Sequence, residues 1–201
     1  YAQLLEEQDL PPESREYVSA LEHQAEKLRF LIDALVKTSR LESGVLAMTP
    51  KRHGIQQLLD AASAQAAPGA EAKAITLTVE PTDLTARFDP KWTAEALYNL
   101  VDNAVKYTPA GGAVTLRAVG YELFCRVDVT DTGPGIPESE QARIFQRFYR
   151  SPSASEAEGV GIGLYLARQI AAGQGGYLKV SSRPGEGSTF SLFLPRAEER
   201  T

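Results

Sequence analysis

The chain changes its hydrophobic period near residue 46, and this change constrains the fold more than any other feature. Before it, Val18, Leu21, Ala25, Leu28, Ile32 and Leu35 recur at intervals of three and four residues. That spacing places them on one stripe of a helix over residues 14–42, an a/d seam of the kind that buries against other helices. After it, β-branched and alternating runs separate amphipathic helical stretches, which reads as a helical element followed by an α+β unit.

Residues 1–8 read as the end of a helix, "DLPPES" (9–14) as a turn and Gly44 as a C-terminal stop, so residues 1–45 are expected to be a helical hairpin. The segment holds 5 basic and 9 acidic residues and cannot bury its stripe alone. Dimerisation into a four-helix bundle is the expected solution, against packing of the helix on the rest of the same chain. Residues 46–197 are expected to form the second unit. Its helices are read at 54–67, 90–107 and 161–172, with a short helix and a polar loop before the last. Strands are read at 75–80, 84–89, 113–119, 123–130, 177–182 and 188–194. Asp89-Pro90 opens the helix at 90–107. The expected architecture is a two-layer sandwich, one mixed sheet with helices on one face.

Charge and composition remove several function classes. The net charge of −5 offers no basic stripe for nucleic acid, and no apolar run approaches the length needed to span a bilayer. The one cysteine, Cys125, lies in an apolar strand and reads as a buried, inert thiol that suits a reducing compartment. His23 and His53 are far apart, and no Cys/His cluster has metal-ligand spacing. A chain that opens at Tyr1 in helical pattern, without Met or leader, is expected to be part of a longer protein.

The chemistry is concentrated in five short stretches. On the helix at 90–107, Asn99 and Asn103 stand one turn apart on one face, with Lys106 and Tyr107 a turn further on. Amide oxygens are neutral hard ligands for Mg²⁺, which normally bridges phosphates. "DTGPGIP" (131–137) puts an acid at a strand end before Gly-x-Gly, where backbone can approach a flat ligand and a carboxylate can accept from an exocyclic amine. "GVGIGL" (159–164) exposes backbone N–H groups at a helix N-terminus, a phosphate site in principle. It lacks the Lys and Ser/Thr of a Walker A loop and the βαβ setting of a dinucleotide fingerprint. Each stretch alone also fits an ordinary turn or a buried structural amide. Together with "IFQRFYR" and "GSTF", in this order, they would surround one nucleotide.

The combination resembles the catalytic half of a bacterial sensor histidine kinase, of the ATP-binding class shared with gyrase, Hsp90 and MutL. "NLVDNAVKYTP" is similar to that family's N box, "DTGPGIP" to its G1 box, "IFQRFYR" to its F box, "GVGIGL" to its G2 box and "GSTFSLFLP" to its last strand. The likeness covers about residues 46–195, and residues 1–45 resemble the dimerisation and phosphotransfer hairpin. It implies the Bergerat-type ATP-binding fold, ATP and Mg²⁺ as ligands, a homodimer, and a response-regulator receiver domain as partner. It also implies a cytoplasmic location, with any membrane anchor outside this chain. By resemblance Asn99 coordinates Mg²⁺ and Asn103 contacts phosphate, while Lys106 and Tyr107 line the phosphate and adenine sides. Asp131 binds the adenine amine, with Gly133, Gly135 and Ile136 shaping the pocket. Gly159, Gly161 and Gly163, with Leu164, carry the lid and meet the phosphates. Tyr149 and Arg150 help hold the nucleotide, and Thr189 supports Asp131 through a water. Glu95, one turn before Asn99, stands where related ATPases place a carboxylate, and would accept a proton from the attacking imidazole. A solvated surface charge is the competing reading for it. The polar segment 150–159 reads as a lid closing on phosphates.

Two departures from the family pattern stand out. Gln174-Gly175-Gly176 replaces the usual His-Gly-Gly, and the family's phosphoacceptor motif is absent. The family pattern places that histidine before Tyr1, and neither His23 nor His53 matches it. Two other readings compete with a kinase: an ATPase of the same fold acting as a clamp or chaperone, and a non-catalytic ATP-sensing module.

Overall fold

The computed structural model describes residues 11–42, 47–151 and 160–197. Helix α1 (Pro12–Glu42) is followed by β1 (Lys51–Gly54), α2 (Ile55–Ala72), β2 (Thr76–Val79), β3 (Thr85–Phe88) and α3 (Pro90–Tyr107). Then come β4 (Ala113–Gly120), β5 (Phe124–Asp131), the single-turn α4 (Glu138–Gln141) with a 3-10 turn at Arg143–Phe145, α5 (Gly163–Gly173), β6 (Tyr177–Arg183) and β7 (Gly187–Pro195). The first hairpin helix expected at residues 1–8 and the helix stop expected at Gly44 lie outside the described residues, as does most of the expected lid.

Five strands form a mixed sheet in the order β2-β4-β5-β7-β6, with β2 parallel to β4 and the other neighbours antiparallel. Strand alternation turns Cys125, Val127, Val129 and Asp131 of β5, and Ser188, Phe190, Leu192 and Leu194 of β7, to one buried face. Against that face lie the helices, with α3 between α2 and α5. Leu97, Leu100 and Val101 of α3 are fully buried, each worth about 1.5–3 kcal/mol relative to exposure. The opposite face carries a ring cluster instead of a helical layer. Tyr177 stacks on Phe193 at 4.2 Å, and Phe124 meets Tyr177 edge-on at 5.3 Å. Cys125 is buried as expected, and burial pushes its thiol up to about 11.

The sandwich departs from the sequence reading in three places. β3 does not join the main sheet. It pairs antiparallel with β1, a strand the sequence reading missed because "KRHG" has no apolar alternation. Its own alternation buries Ala86 and Phe88, so the ribbon closes over the core from the side. α2 runs to Ala72 through Pro68, which is tolerated because Pro68 and Ala64, whose carbonyl loses its helical partner, are both exposed while Ala66 and Ala70 stay buried. α5 begins at Gly163, two residues later than expected.

On α1, Ala34 is buried and Leu31 partly buried against the core, where the helix meets α5. Lys37 Nζ donates to Glu95 Oε1 of α3 at 2.5 Å. Of the seam, Val18 is buried, while Leu21, Leu28, Ile32 and Leu35 stand exposed.

Candidate functional site

α3 is positioned from both ends. Asp89 caps its start, accepting from the N–H groups of Lys91 at 3.1 Å and Trp92 at 3.3 Å and, on its other oxygen, from Thr49 at 3.0 Å. Burial opposes ionisation of Asp89, but these N–H donors outweigh it and hold the carboxyl below its ordinary value. Gln174 joins the start of α3 to α5. Its Oε1 accepts from the Asp89 N–H at 2.5 Å, and its Nε2 donates to Thr93 Oγ1 at 3.1 Å and to the Ile170 carbonyl at 3.2 Å. The glutamine that replaces the family's histidine is thus a buried structural tie.

Held this way, α3 presents Asn99, Asp102, Asn103 and Lys106, with Tyr107 at its end, to a cavity of about 360 Å³. Asn103 Nδ2 donates to the Asn99 carbonyl at 2.7 Å, leaving its Oδ1 and one N–H for a ligand. The N-terminus of α5 closes the cavity opposite. A Cβ at Gly163 would lie 3.1 Å from Asn99 Oδ1, so the backbone meets the asparagines without a side chain between.

Asp131 reaches the cavity from the end of β5 and is buried, with Oδ1 accepting from the Gly133 N–H at 2.8 Å. Burial raises its carboxyl above the ordinary value, although the N–H groups of Gly133 and Ser188 work in the other direction. The loop beyond it is pinned from two sides. Gly135 has φ +72°, and a Cβ there would collide with the Arg183 carbonyl. Ile136 N–H donates to Ser182 Oγ at 2.8 Å, and Gln141 Nε2 donates to the Ile136 carbonyl at 3.0 Å. Tyr149 lines the cavity under the Arg143 guanidinium, and its hydroxyl is buried with no hydrogen-bond partner among the described residues.

Of the residues singled out from sequence, Asn99, Asn103, Lys106, Tyr107, Asp131, Gly135, Ile136, Tyr149, Arg150, Gly161, Gly163 and Leu164 all line this one cavity. Gly159 lies outside the described residues. Gly133 stands behind Asp131 and fixes its carboxylate. Thr189 is displaced from its expected role. Strand alternation turns it to the outer face, where its Oγ1 meets Thr130 Oγ1 at 3.0 Å, and Ser188 is the residue beside Asp131. Glu95 does not line the cavity, and its carboxylate is engaged by Lys37. Neither His23 nor His53 lines it. Sequence reasoning also missed Asp102, although its place three residues after Asn99 on the same helical face was readable. Ser188 was readable only once the β5–β7 register was known.

The donor set suits a nucleotide with a divalent cation. One buried carboxylate, two amides, a lysine and a glycine-bounded helix N-terminus converge, and the Tyr149 hydroxyl lacks a partner among the described residues. Among the described residues no group of three His, Cys, Asp or Glu side chains forms a metal cage. Mg²⁺ binds through few protein oxygens together with substrate phosphates and waters, and an amide oxygen is a hard ligand that can supply such a contact.

The model of the histidine kinase-, DNA gyrase B- and HSP90-like ATPase family matches residues 88–198. The sensor protein DivL of Caulobacter vibrioides is 35% identical over 202 residues, covering 99% of this chain and 26% of that protein. The circadian input-output histidine kinase CikA of Synechococcus elongatus is 33% identical over 192 residues, covering 92% of this chain and 26% of its own length. The chain therefore spans about a quarter of these relatives. Among solved structures, full-length ShkA in complex with AMPPNP superposes with a TM-score of 0.82 at 30% identity, over 100% of this chain and 42% of that one.

Proposed function

The chain belongs to the histidine kinase-, DNA gyrase B- and HSP90-like ATPase family, and from that premise we propose that it is the kinase core of a two-component sensor. In this reading ATP with Mg²⁺ occupies the cavity beneath α3 and α5. The observation that carries it is the convergence of Asn99, Asn103, Lys106, Tyr107, Asp131 and Gly163, from three separate segments, on that one cavity.

Asp131 accepts a hydrogen bond from the adenine exocyclic amine, while Tyr107 and Ile136 cover the base. Asn103 and Lys106 face the phosphates, and the backbone of Gly161, Gly163 and Leu164 at the α5 N-terminus offers N–H donors to them. Tyr149 and Arg150 hold the nucleotide from the lid side. Asn99 holds the metal, which when bound neutralises phosphate charge. The γ-phosphoryl passes to an imidazole nitrogen of a hairpin histidine, ADP leaves, and the phosphoryl is relayed to a carboxylate of a response-regulator receiver domain. Catalysis is positioning and charge neutralisation. Glu95 takes the imidazole proton once Lys37 releases it.

The test is calorimetry with ATP, with and without Mg²⁺, followed by mass spectrometry after incubation. The expected outcome is Mg²⁺-dependent ATP binding without phosphohistidine on this chain, because the acceptor motif is absent. Fusing an upstream segment that carries such a motif is expected to yield an acid-labile phosphate. Phosphate on His23 or His53 sinks the acceptor assignment, and steady ATP hydrolysis without transfer favours a clamp-type ATPase.

A further inference from the structure

We propose that Lys73 is a positioning residue of the nucleotide site, an inference that rests on the reading of the cavity as an ATP site. Lys73 follows α2 directly and does not line the cavity. Its ammonium donates to the carbonyl oxygens of Val105 at 2.8 Å, Lys106 at 2.8 Å and Thr108 at 2.6 Å. An ammonium has three N–H donors, and all three end on the last turn of α3 and the residue after it.

That turn is where α3 most needs support. The last carbonyls of a helix have no intrahelical partner, and they form the negative end of its dipole. At this end stand Lys106 and Tyr107, both facing the cavity. An unsupported turn frays, and its uncompensated carbonyls repel an anionic ligand. Lys73 answers both: it ties the carbonyls to one point and places a positive charge among them. The tie extends to the base side of the cavity. A Cβ at Gly133 would lie 3.4 Å from the Tyr107 carbonyl oxygen, so the end of α3 abuts the residue whose N–H fixes Asp131. Backbone bonds complete the brace, from Gly111 N–H to the Lys73 carbonyl at 3.1 Å and from Thr76 N–H to the Gly112 carbonyl at 2.9 Å. Lys73 thus sets the separation between Tyr107 and Asp131, the two groups that would grip the base, without touching the ligand.

The test substitutes Lys73→Met, which keeps the aliphatic stem and removes the three donors. The control is Leu178→Ala, a buried truncation in β6 at the far edge of the sheet. Both are titrated with ATP·Mg²⁺ at a temperature where melting curves show each fully folded. Lys73→Met is expected to bind about 10-fold more weakly than the parent, the upper range for one ligand hydrogen bond lost, and Leu178→Ala to stay within about 2-fold. If Lys73→Met is too unstable to titrate, Lys73→Gln, which retains two N–H donors, is expected to show an intermediate loss. A Lys73 variant that binds like the parent, or that loses no more than the control, overturns the proposal. A parent chain that takes up no ATP overturns the underlying reading, and this inference with it.

Discussion

Asp131 is a residue whose folded environment works against its own charge. Burial raises its carboxyl above the ordinary value, so charging Asp131 is harder in the folded chain than in the unfolded one. Such a group adds stability at low pH and loses that contribution as pH rises through its folded value. Asp131→Asn is therefore expected to melt higher than the parent at neutral pH, with the difference shrinking toward zero in acid, as thermal melts across pH would show. The same variant is expected to weaken ATP binding by about 1–3 kcal/mol, the scale of a hydrogen bond to a charged group. Opposite signs in stability and binding mark a residue kept for a ligand, and unchanged ATP affinity would remove the adenine assignment. The asparagine pair separates in a second experiment. Asn99→Ala is expected to abolish the Mg²⁺ dependence of ATP affinity, and Asn103→Ala to weaken binding with or without metal. The reverse result moves the metal to Asn103, whose Oδ1 is open because its Nδ2 is committed to the Asn99 carbonyl.

At the scale of elements, α3 carries the site and its neighbours hold it still. Asp89 serves its start, Lys73 its end and Gln174 its seam with α5. Gln174→Leu would leave the Asp89 N–H and the Thr93 hydroxyl buried without partners. We expect a cost of about 1–3 kcal/mol, measured as a lower urea midpoint at unchanged slope. A midpoint equal to the parent's would mean that water replaces the amide.

Across the whole molecule, Ala34 and Leu31 of α1 meet the core and Lys37 pairs with Glu95. Among the described residues, Leu21, Leu28, Ile32 and Leu35 of its seam stand exposed. Leu28, 59% exposed, has little to lose in a monomer and much in a bundle. Leu28→Glu is expected to turn a dimer into a monomer by light scattering, with the melting of the α+β unit unchanged. A parent that is monomeric at high concentration removes the dimer reading for this chain.

The sequence by itself determined what is local. Helical spacing placed Asn99, Asn103 and Lys106 on one face, Asp89-Pro90 marked the start of α3, and alternation located all six strands that it named within a residue or two. Those features follow from side-chain direction along a single element, and periodicity reports it directly. What remained belongs to pairing between distant segments. β3 left the sheet for a partner, β1, with no pattern of its own. Ser188 rather than Thr189 stands beside Asp131 because the register of β7 on β5 decides which of two adjacent hydroxyls faces inward. Glu95 turned toward Lys37, 58 residues away, and Lys73 found carbonyls more than thirty residues along the chain. Such contacts depend on how finished elements dock, and only the tertiary structure decides that.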